Sequence, residues 1–174
     1  MPRAERPDMA DYGVPDELDG VLDWAWASER LERSRNYWVV TASADARPHA
    51  MPVWGTWLPG AERFAFSCGP NARKARNLRA NPRVTITAED TVEVVVVEGV
   101  ASEERADDHP DIVGAWAAKY GADEETDEQD HAASEEQLRE FLAGVSVFLV
   151  RPERAFGIIE RPDEFGQRAT RWVW

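Results

Sequence analysis

The stretch from residue 36 to residue 101 changes its apolar pattern every few residues, and this constrains the fold more than any other feature of the chain. Five segments rich in β-branched and aromatic residues predict strands, and turn residues separate most of them. The predicted strands are 36–43, 47–57, 63–67, 83–88 and 92–101, with a helix at 71–80 that must end before Pro82. Short strands at this spacing favour a small barrel or a sandwich.

The flanks of this stretch add helices and further strands. Residues 1–14 are polar and are expected to be disordered, and a helical pattern predicts an N-terminal helix at 15–35. The later pattern predicts a helix at 110–120, an acidic loop plus helix at 121–143 with the helix beginning at Ser134, and strands at 145–151, 155–160 and 170–174. We expect one domain, 1–174, of mainly β structure with flanking helices, because 43% of 174 residues are apolar.

The charge and the cysteine count exclude several classes of function. A formal net charge of −13 argues against binding nucleic acid or anionic lipid through the overall field. Cys68 is the single cysteine, so the chain forms no internal disulfide and no multi-cysteine metal site. No apolar run approaches the roughly 20 residues of a membrane-spanning helix, and the first residues lack the apolar stretch of a signal peptide. We therefore expect a cytoplasmic protein without a membrane or nucleic-acid partner.

Residues 71–83 form a basic segment in an acidic chain. The segment holds no acidic residue and five basic ones: Arg73, Lys74, Arg76, Arg79 and Arg83. It follows a predicted strand and a Ser67-Cys68-Gly69 loop, and a strand, a glycine-containing loop and a helix N-terminus together make a site for an anion. Basic side chains at the start of the helix would add charged hydrogen bonds to a phosphate. The alternative is an ordinary solvated arginine-rich face.

The predicted strand at 47–57 is the second candidate. Alternation places Pro52, Trp54 and Thr56 on one face. The other face carries His49, Met51, Val53, Gly55 and Trp57. Gly55 would let a planar ligand approach the backbone closely, and the two prolines leave neighbouring carbonyls without a ladder partner. The alternative is an edge strand with core aromatic residues.

Other candidate chemistry is weak. The three histidines, His49, His109 and His131, lack metal-ligand spacing, so we expect no metal site. No nucleophile motif, P-loop or dinucleotide-binding glycine motif is present. Cys68 lies near the basic helix start, where its pKa would be lowered, and the alternative is a buried, unreactive thiol.

The run from Tyr37 to Ala101 resembles the pyridoxamine 5'-phosphate oxidase-like, FMN-binding split-barrel family, and most resembles its flavin and deazaflavin oxidoreductase branch. The matching pieces, in the order of that family, are YWVVTASADARPHAMPVWG, RFAFS, ARKARNLRANPRV and VVVVEGVA. The final TRWVW is similar to the closing strand of the branch. The resemblance implies a six-stranded antiparallel split β-barrel and a homodimer whose cofactor groove lies between the subunits.

The resemblance also implies which residues bind the cofactor. Arg73 and Lys74 match the basic pair that holds the cofactor phosphate, and Ser67 and Cys68 match the two residues that approach the phosphate and the ribityl chain. The backbone along which the flavin ring lies is matched by Pro52, Val53, Trp54, Gly55 and Trp57. The candidate site further includes Arg76 and Asn77 on the basic helix, where Arg76 and Arg79 would receive the anionic tail of a deazaflavin.

The implied function is that of a flavin- or deazaflavin-dependent oxidoreductase that transfers a hydride to or from a small organic substrate. The cofactor is FMN or a deazaflavin of the coenzyme F420 type, and both alternatives stay open. Oxidation of vitamin B6 is not expected, because Trp57 falls where the true oxidases have a basic residue and their C-terminal substrate-binding segment is missing. The alternative function is a non-catalytic flavin or deazaflavin carrier, or a haem-binding protein with His49 as the axial ligand.

Overall fold

The computed structural model describes residues 1–121 and 128–174 and contains one antiparallel sheet of eight strands. The strands are, in chain order, β1 (Arg3–Glu5), β2 (Asn36–Ala42), β3 (Pro48–Leu58), β4 (Arg63–Cys68), β5 (Arg83–Ala88), β6 (Glu93–Glu104), β7 (Ser146–Ile159) and β8 (Thr170–Val173). The helices are α1 (Trp24–Arg33), α2 (Arg73–Ala80), α3 (Pro110–Trp116), α4 (Glu128–Ala143) and α5 (Phe165–Arg168). Among the described residues, no helix is both long enough and apolar enough to cross a bilayer.

Six of these strands close into a barrel. The order β7-β4-β3-β2-β5-β6 runs around it, and the antiparallel ladder between β6 and β7 joins the two ends. The sheet extends beyond the barrel because β7 also pairs with β8, and β8 pairs with β1. The six-stranded antiparallel split barrel with flanking helices, expected from the sequence, is thereby confirmed.

Aromatic side chains fill much of the barrel. The largest fully buried ones include Tyr37, Phe64, Phe66, Phe148 and Trp172. Phe66 and Phe148 lie opposite each other in the β4–β7 ladder with ring centroids 5.4 Å apart. Helices α1 and α2 cover the barrel through Leu31 and Leu78, which are both almost fully buried. A second apolar cluster packs α3 and α4 against β4 and β7.

The N-terminal segment is held by the sheet, so the disorder expected for residues 1–14 is wrong for its strand. β1 pairs with β8, and Ala4 lies opposite Trp172. The Arg6 guanidinium donates hydrogen bonds to backbone carbonyls on both sides of this contact: those of Glu17, Asp19, Gln167 and Ala169. The sequence does not signal this anchorage, because the partners of β1 and of Arg6 include residues at the other end of the chain.

The N-terminal helix is shorter than the predicted 15–35. It begins at Trp24 and ends at Arg33. Gly20 has a φ of 83°, a left-handed conformation that a right-handed helix does not pass through. The backbone N–H of Leu22 donates to Thr170 Oγ1 (2.8 Å), so tertiary contacts replace helical ones before α1.

β7 is one continuous strand where the sequence predicts two. The register between β6 and β7 shifts at Glu98/Gly99, and Gly99 lies opposite Pro152. A Cβ on Gly99 would lie 2.2 Å from the Arg151 carbonyl oxygen, so the glycine lets the two backbones approach at this bulge. The bulge therefore accommodates a proline that the sequence pattern alone treats as a break.

The helices before β7 also differ from the prediction. α3 ends at Trp116, and a π-helical turn (Ala117–Gly121) continues it. α4 begins at Glu128 instead of at the predicted Ser134. Residues 128–133 of the predicted acidic loop therefore belong to α4, and residues 122–127 of that loop lie outside the described residues.

Candidate ligand-binding site

The two candidate segments meet where β3 and β4 diverge. β3 pairs with β2 from Pro48 to Trp54 but with β4 only from Gly55 to Leu58. β4 continues past this point as a partner of β7, as far as Cys68. The first half of β3 therefore has a free edge, which accommodates its prolines because a proline nitrogen cannot donate to a ladder. The edge-strand interpretation thus holds for one half of an otherwise interior strand.

A cavity of about 730 Å³ opens at this divergence, between the barrel and helices α3 and α4. We call it the aromatic cavity. Trp54 of β3, with Ser67, Cys68 and Gly69 at the end of β4, forms its barrel wall. Its helical wall consists of Trp116, Ala117, Tyr120, Gln137, Leu138 and Phe141, and Val145, which follows α4, completes the lining. The volume lies within the roughly 300–1,000 Å³ that is typical of small-molecule sites.

A pair of stacked rings connects the two walls of the aromatic cavity. Trp54 and Tyr120 lie with ring centroids 5.2 Å apart and an interplanar angle of 15°. The Tyr120 hydroxyl accepts a hydrogen bond from the Gly55 N–H (3.0 Å) and lies 2.9 Å from the Gly55 carbonyl oxygen. It also lies 2.6 Å from the Arg35 carbonyl oxygen. The π-helical turn is thereby fastened to β3 just beyond the residues that β2 pairs.

Lys119, beside Tyr120, brings a cation to the same point of β3. Its Nζ donates to the Tyr37 hydroxyl and to the Gly55 carbonyl oxygen (3.3 Å), and it lies 4.7 Å from the centre of the Tyr37 ring. Burial lowers the pKa of Lys119 to about 8. Burial raises the pKa of the Tyr120 hydroxyl above its usual value, so this hydroxyl stays protonated near neutral pH.

The N-terminus of α2 carries two basic side chains whose charge is not neutralised. Its N-cap, Ala72, provides no side-chain oxygen, so no side chain caps the amides of Arg73 and Lys74, whereas the Ala75 amide acts on the Cys68 thiol. Within the described residues, Arg73 and Lys74 make no hydrogen bond or ion pair. By contrast, Arg79 donates to both carboxylate oxygens of Glu103 at 2.7 and 2.6 Å. Arg79 is therefore engaged by Glu103, and its role in holding a deazaflavin tail stays a prediction.

A second cavity, of about 340 Å³, borders α2. We call it the arginine cavity. It is lined by Ser43, Asp45, Arg47, Pro48, His49, Arg73, Arg76 and Asn77. Burial, assisted by the charges of Arg73 and Lys74, lowers the pKa of His49, whose buried Nδ1 has no hydrogen-bond partner. Lys74 also acts electrostatically on Cys68, so its charge is felt at both cavities.

Several predicted site residues serve the core instead. Val53 and Trp57 are only 8% and 2% exposed, and Trp57 Nε1 donates to Ser28 Oγ (3.0 Å) inside the protein. A Cβ on Gly55 would lie 2.4 Å from a ring carbon of Phe64, so packing and not ligand approach requires this glycine. The side chains of Val53 and Trp57 therefore do not face either cavity, and only their backbone remains a candidate.

Asn77 and Arg76 have local partners as well. Asn77 is buried and its Nδ2 donates to Thr41 Oγ1 (3.0 Å). The exposed Arg76 donates to the Asn71 carbonyl oxygen. Pro52, also exposed, lies opposite Trp38 in the β2–β3 ladder. Of the predicted site residues, Trp54, Ser67 and Cys68 lie at the aromatic cavity. The predicted site residues of α2 lie at the arginine cavity or beside it.

The Cys68 thiol is not activated. Its burial raises its pKa, and the opposing effect of the Lys74 charge is smaller. The expectation of a lowered pKa is therefore wrong, and the alternative of an unreactive thiol agrees with its half-buried position. Across the parts of the chain that the structure describes, no three histidine, cysteine, aspartate or glutamate side chains form a group that could hold a metal ion.

Sequence reasoning missed the helical wall of the aromatic cavity. The apolar periodicity of 110–120 predicts a helix, but periodicity does not say which part of the barrel its residues meet. Phe141 on α4 is 56% exposed and faces the cavity from a helix whose sequence is dominated by charge. No local signal marks these residues, because their partner Trp54 lies more than sixty residues away along the chain.

Comparisons with known proteins agree with this architecture. The solved structures that resemble the chain include the conserved hypothetical protein Rv2991 from Mycobacterium tuberculosis, with a TM-score of 0.68 at 20% identity over 84% of this chain and 90% of that one. An F420 reductase matches with a TM-score of 0.50 at 22% identity over 74% and 94% of the two chains. A heme binding protein from Mycobacterium smegmatis matches with a TM-score of 0.61 at 18% identity over 88% and 59%. No curated protein matches the sequence.

The six strands close into a barrel through β6 and β7, but β3 and β4 diverge along part of their length. The protein is therefore a split barrel. The sequence profile described as pyridoxamine 5'-phosphate oxidase matches residues 26–155, which include β2 to β6 and most of the helical wall of the aromatic cavity. The chain belongs to the pyridoxamine 5'-phosphate oxidase family. The resemblance stated from the sequence is confirmed at this level.

Proposed function

We propose that the protein is an oxidoreductase that binds FMN or a deazaflavin and serves hydride transfer to or from a small organic substrate. One observation carries the proposal: Arg73 and Lys74 stand without an ionic partner in the described structure, at an uncapped helix N-terminus, and the charge of Lys74 acts on Cys68 in the wall of a cavity large enough for a ring system. In a chain of net charge −13, two cations without an ionic partner are suited to bind a phosphate.

The residues around the aromatic cavity fit such a cofactor. Trp54 and Tyr120 offer a stacked aromatic surface, and Ser67 lines the same cavity with its hydroxyl-bearing side chain. The cofactor itself supplies the hydride chemistry, so the protein needs no acid–base constellation for it. The chain's own residues bind the phosphate through Arg73 and Lys74 and orient the ring. The side chains of α3 and α4 exclude water from the cavity.

A role in vitamin B6 oxidation remains outside the proposal. The side chain at position 57 is a tryptophan that is buried in the core and hydrogen-bonded to Ser28. The barrel strand therefore offers no basic group at this point of the site. We instead expect the residues that line the aromatic cavity to bind the substrate.

A non-catalytic carrier would use the same phosphate site and is the second candidate. The heme binding protein among the similar structures raises haem as its ligand, with His49 as the axial residue. His49, however, lines the smaller arginine cavity, and the described lining of the aromatic cavity contains no histidine. The geometry therefore favours a phosphate-bearing ring over haem.

We also propose that the protein is a homodimer, with a second copy covering the exposed aromatic face of β2 and β3. Trp38 and Pro52 lie opposite each other in this ladder, and Trp54 lies opposite Asn36, two pairs farther along on the same face. Trp38 and Trp54 are 47% and 59% exposed, which is unusual for tryptophan on a surface that stays in water. Because Trp54 also lines the aromatic cavity, the second copy would complete that site.

The test is a titration of the purified protein with FMN, with a deazaflavin of the F420 type and with haem, followed by absorption and by tryptophan fluorescence. We expect micromolar or tighter binding of one of the first two, with quenching of Trp54. Re-oxidation of the reduced bound cofactor by added organic oxidants separates an enzyme from a carrier. Binding of haem in place of both flavins, or of none of the three ligands, would contradict the proposal.

A further inference from the structure

Lys119 is a half-buried cation next to Tyr120, a wall residue of the aromatic cavity, and the proposed function does not use it. Its ammonium contacts the Tyr37 hydroxyl and the Gly55 carbonyl oxygen, which also lies 2.9 Å from the Tyr120 hydroxyl. Tyr120 lines the cavity, whereas the Lys119 side chain does not. The Lys119 Nζ lies 6.0 Å from the centre of the Tyr120 ring.

This charge is not neutralised at close range. Within the described residues, no carboxylate lies within 4.0 Å of the Lys119 Nζ, and Glu32 and Glu89 act on it only from a longer distance. Arg35, whose guanidinium lies 5.6 Å from the centre of the Tyr120 ring, adds a second positive charge nearby. In a half-buried position a charge acts over several ångströms with little screening.

The strand that carries the proposed ring site lacks such a cation. Between Pro48 and Leu58 the only basic side chain is His49, which lies at the arginine cavity. Trp57 occupies the core. The π-helical turn brings Lys119 to Gly55 from a distant part of the sequence, and this places the positive charge on the backbone of β3 without a basic residue in β3 itself.

We propose that Lys119 is a positioning residue for the redox function: its ammonium stabilises the negative charge that a flavin or deazaflavin ring in the aromatic cavity acquires on reduction. This inference rests on the proposed function. Uptake of two electrons and one proton adds one negative charge to such a ring, and a nearby cation favours the reduced form, which carries this added charge, over the oxidised form. Lys119 does not itself donate the electrons or the proton.

The test compares Lys119→Met with Lys119→Arg in the FMN-loaded protein, with a parallel arm that uses the deazaflavin. The bound cofactor is reduced stepwise with dithionite against a reference dye, and its midpoint potential is read from the absorption spectrum. We expect Lys119→Met to lower the affinity for reduced FMN relative to oxidised FMN by about tenfold, which is about 30 mV in midpoint potential for a two-electron couple. Lys119→Arg should retain the wild-type potential.

Arg33→Met is the matched control, because it removes one positive charge from an exposed position on α1 that is paired with Glu29. It should leave the potential unchanged. A bound cofactor with the wild-type potential in Lys119→Met overturns the inference and leaves the proposed function intact. Failure of the wild-type protein to bind either cofactor overturns both. Lys119→Gln gives the same comparison if the methionine variant does not fold.

Discussion

The double substitution Arg73→Ala with Lys74→Ala removes the phosphate end of the proposed site. The two side chains extend from the first turn of α2, and neither contributes a hydrogen bond or an ion pair to the described part of the fold. Alanine has the highest helix propensity, so α2 should persist. We therefore expect the free energy of unfolding to change by no more than about 0.5 kcal/mol, as for surface substitutions without a structural partner.

The expected loss of cofactor affinity follows from the same geometry. A hydrogen bond between charged groups contributes about 1.5–3 kcal/mol, and two of them would contribute at least about 3 kcal/mol if they were buried. Arg73 is exposed and Lys74 is only half-buried, so solvent reduces this contribution. If solvent halves the contribution of about 3 kcal/mol, the remaining half still corresponds to about a tenfold weaker affinity. We expect the loss to shrink as the salt concentration rises, because part of it is screened Coulomb attraction.

The assay is quenching of tryptophan fluorescence by FMN and by the deazaflavin, at low and at high ionic strength. The double variant Arg33→Ala with Arg139→Ala is the control, because it removes the same charge from helices α1 and α4, where both arginines are paired with glutamates. Riboflavin, which lacks the phosphate, should bind the wild-type protein and the Arg73/Lys74 variant equally. An unchanged FMN affinity in the Arg73/Lys74 variant would refute the phosphate assignment.

Three further outcomes are expected. Sedimentation should show a dimer at micromolar concentration, which Trp38→Glu converts to a folded monomer; a stable wild-type monomer would rule out the proposed interface. The Arg79 guanidinium holds the pKa of Glu103 at about 2, well below its usual 4.5. The free energy of unfolding should therefore fall as the pH drops from about 4.5 to 2. In denaturation curves, the Glu103→Gln variant should lack this part of the acid transition. Gly55→Ala should destabilise the protein by about 1–3 kcal/mol in thermal unfolding, because the added methyl group would lie 2.4 Å from a core ring carbon, whereas Gly60→Ala, which meets no atom within 4 Å, should not.

The local sequence predicts most of the barrel because strand periodicity is a local property. The strand at 83–88 and the helix end at Ala80 agree with the structure, since each depends on side-chain alternation or on a nearby proline. The boundaries that fail depend on distant partners. β7 runs through Pro152 only because Gly99 lies opposite it, and α1 begins late because the residues before Trp24 bond to the C-terminal part of the chain.

The candidate site divides in the same way. The charge contrast around Arg73 and Lys74 is visible in the sequence, because the composition of a short segment and its place at a helix start are local. Alternation also groups Val53, Gly55 and Trp57 correctly on one face, but it does not say that this face is the core. The exposed face, which carries Trp54, is the one that borders the cavity.

Only the tertiary structure decides what stands opposite these residues. The sequence by itself determines the strand and helix types, the basic helix start and the family, since these depend on residue order and spacing. The aromatic cavity, the pairing of Arg79 with Glu103 and the contact of Lys119 with Gly55 each join segments that are dozens of residues apart. Such contacts depend on how the barrel closes, because closure sets the register and the distance between segments that are far apart in the sequence. The local pattern of one segment does not indicate which distant segment it will contact.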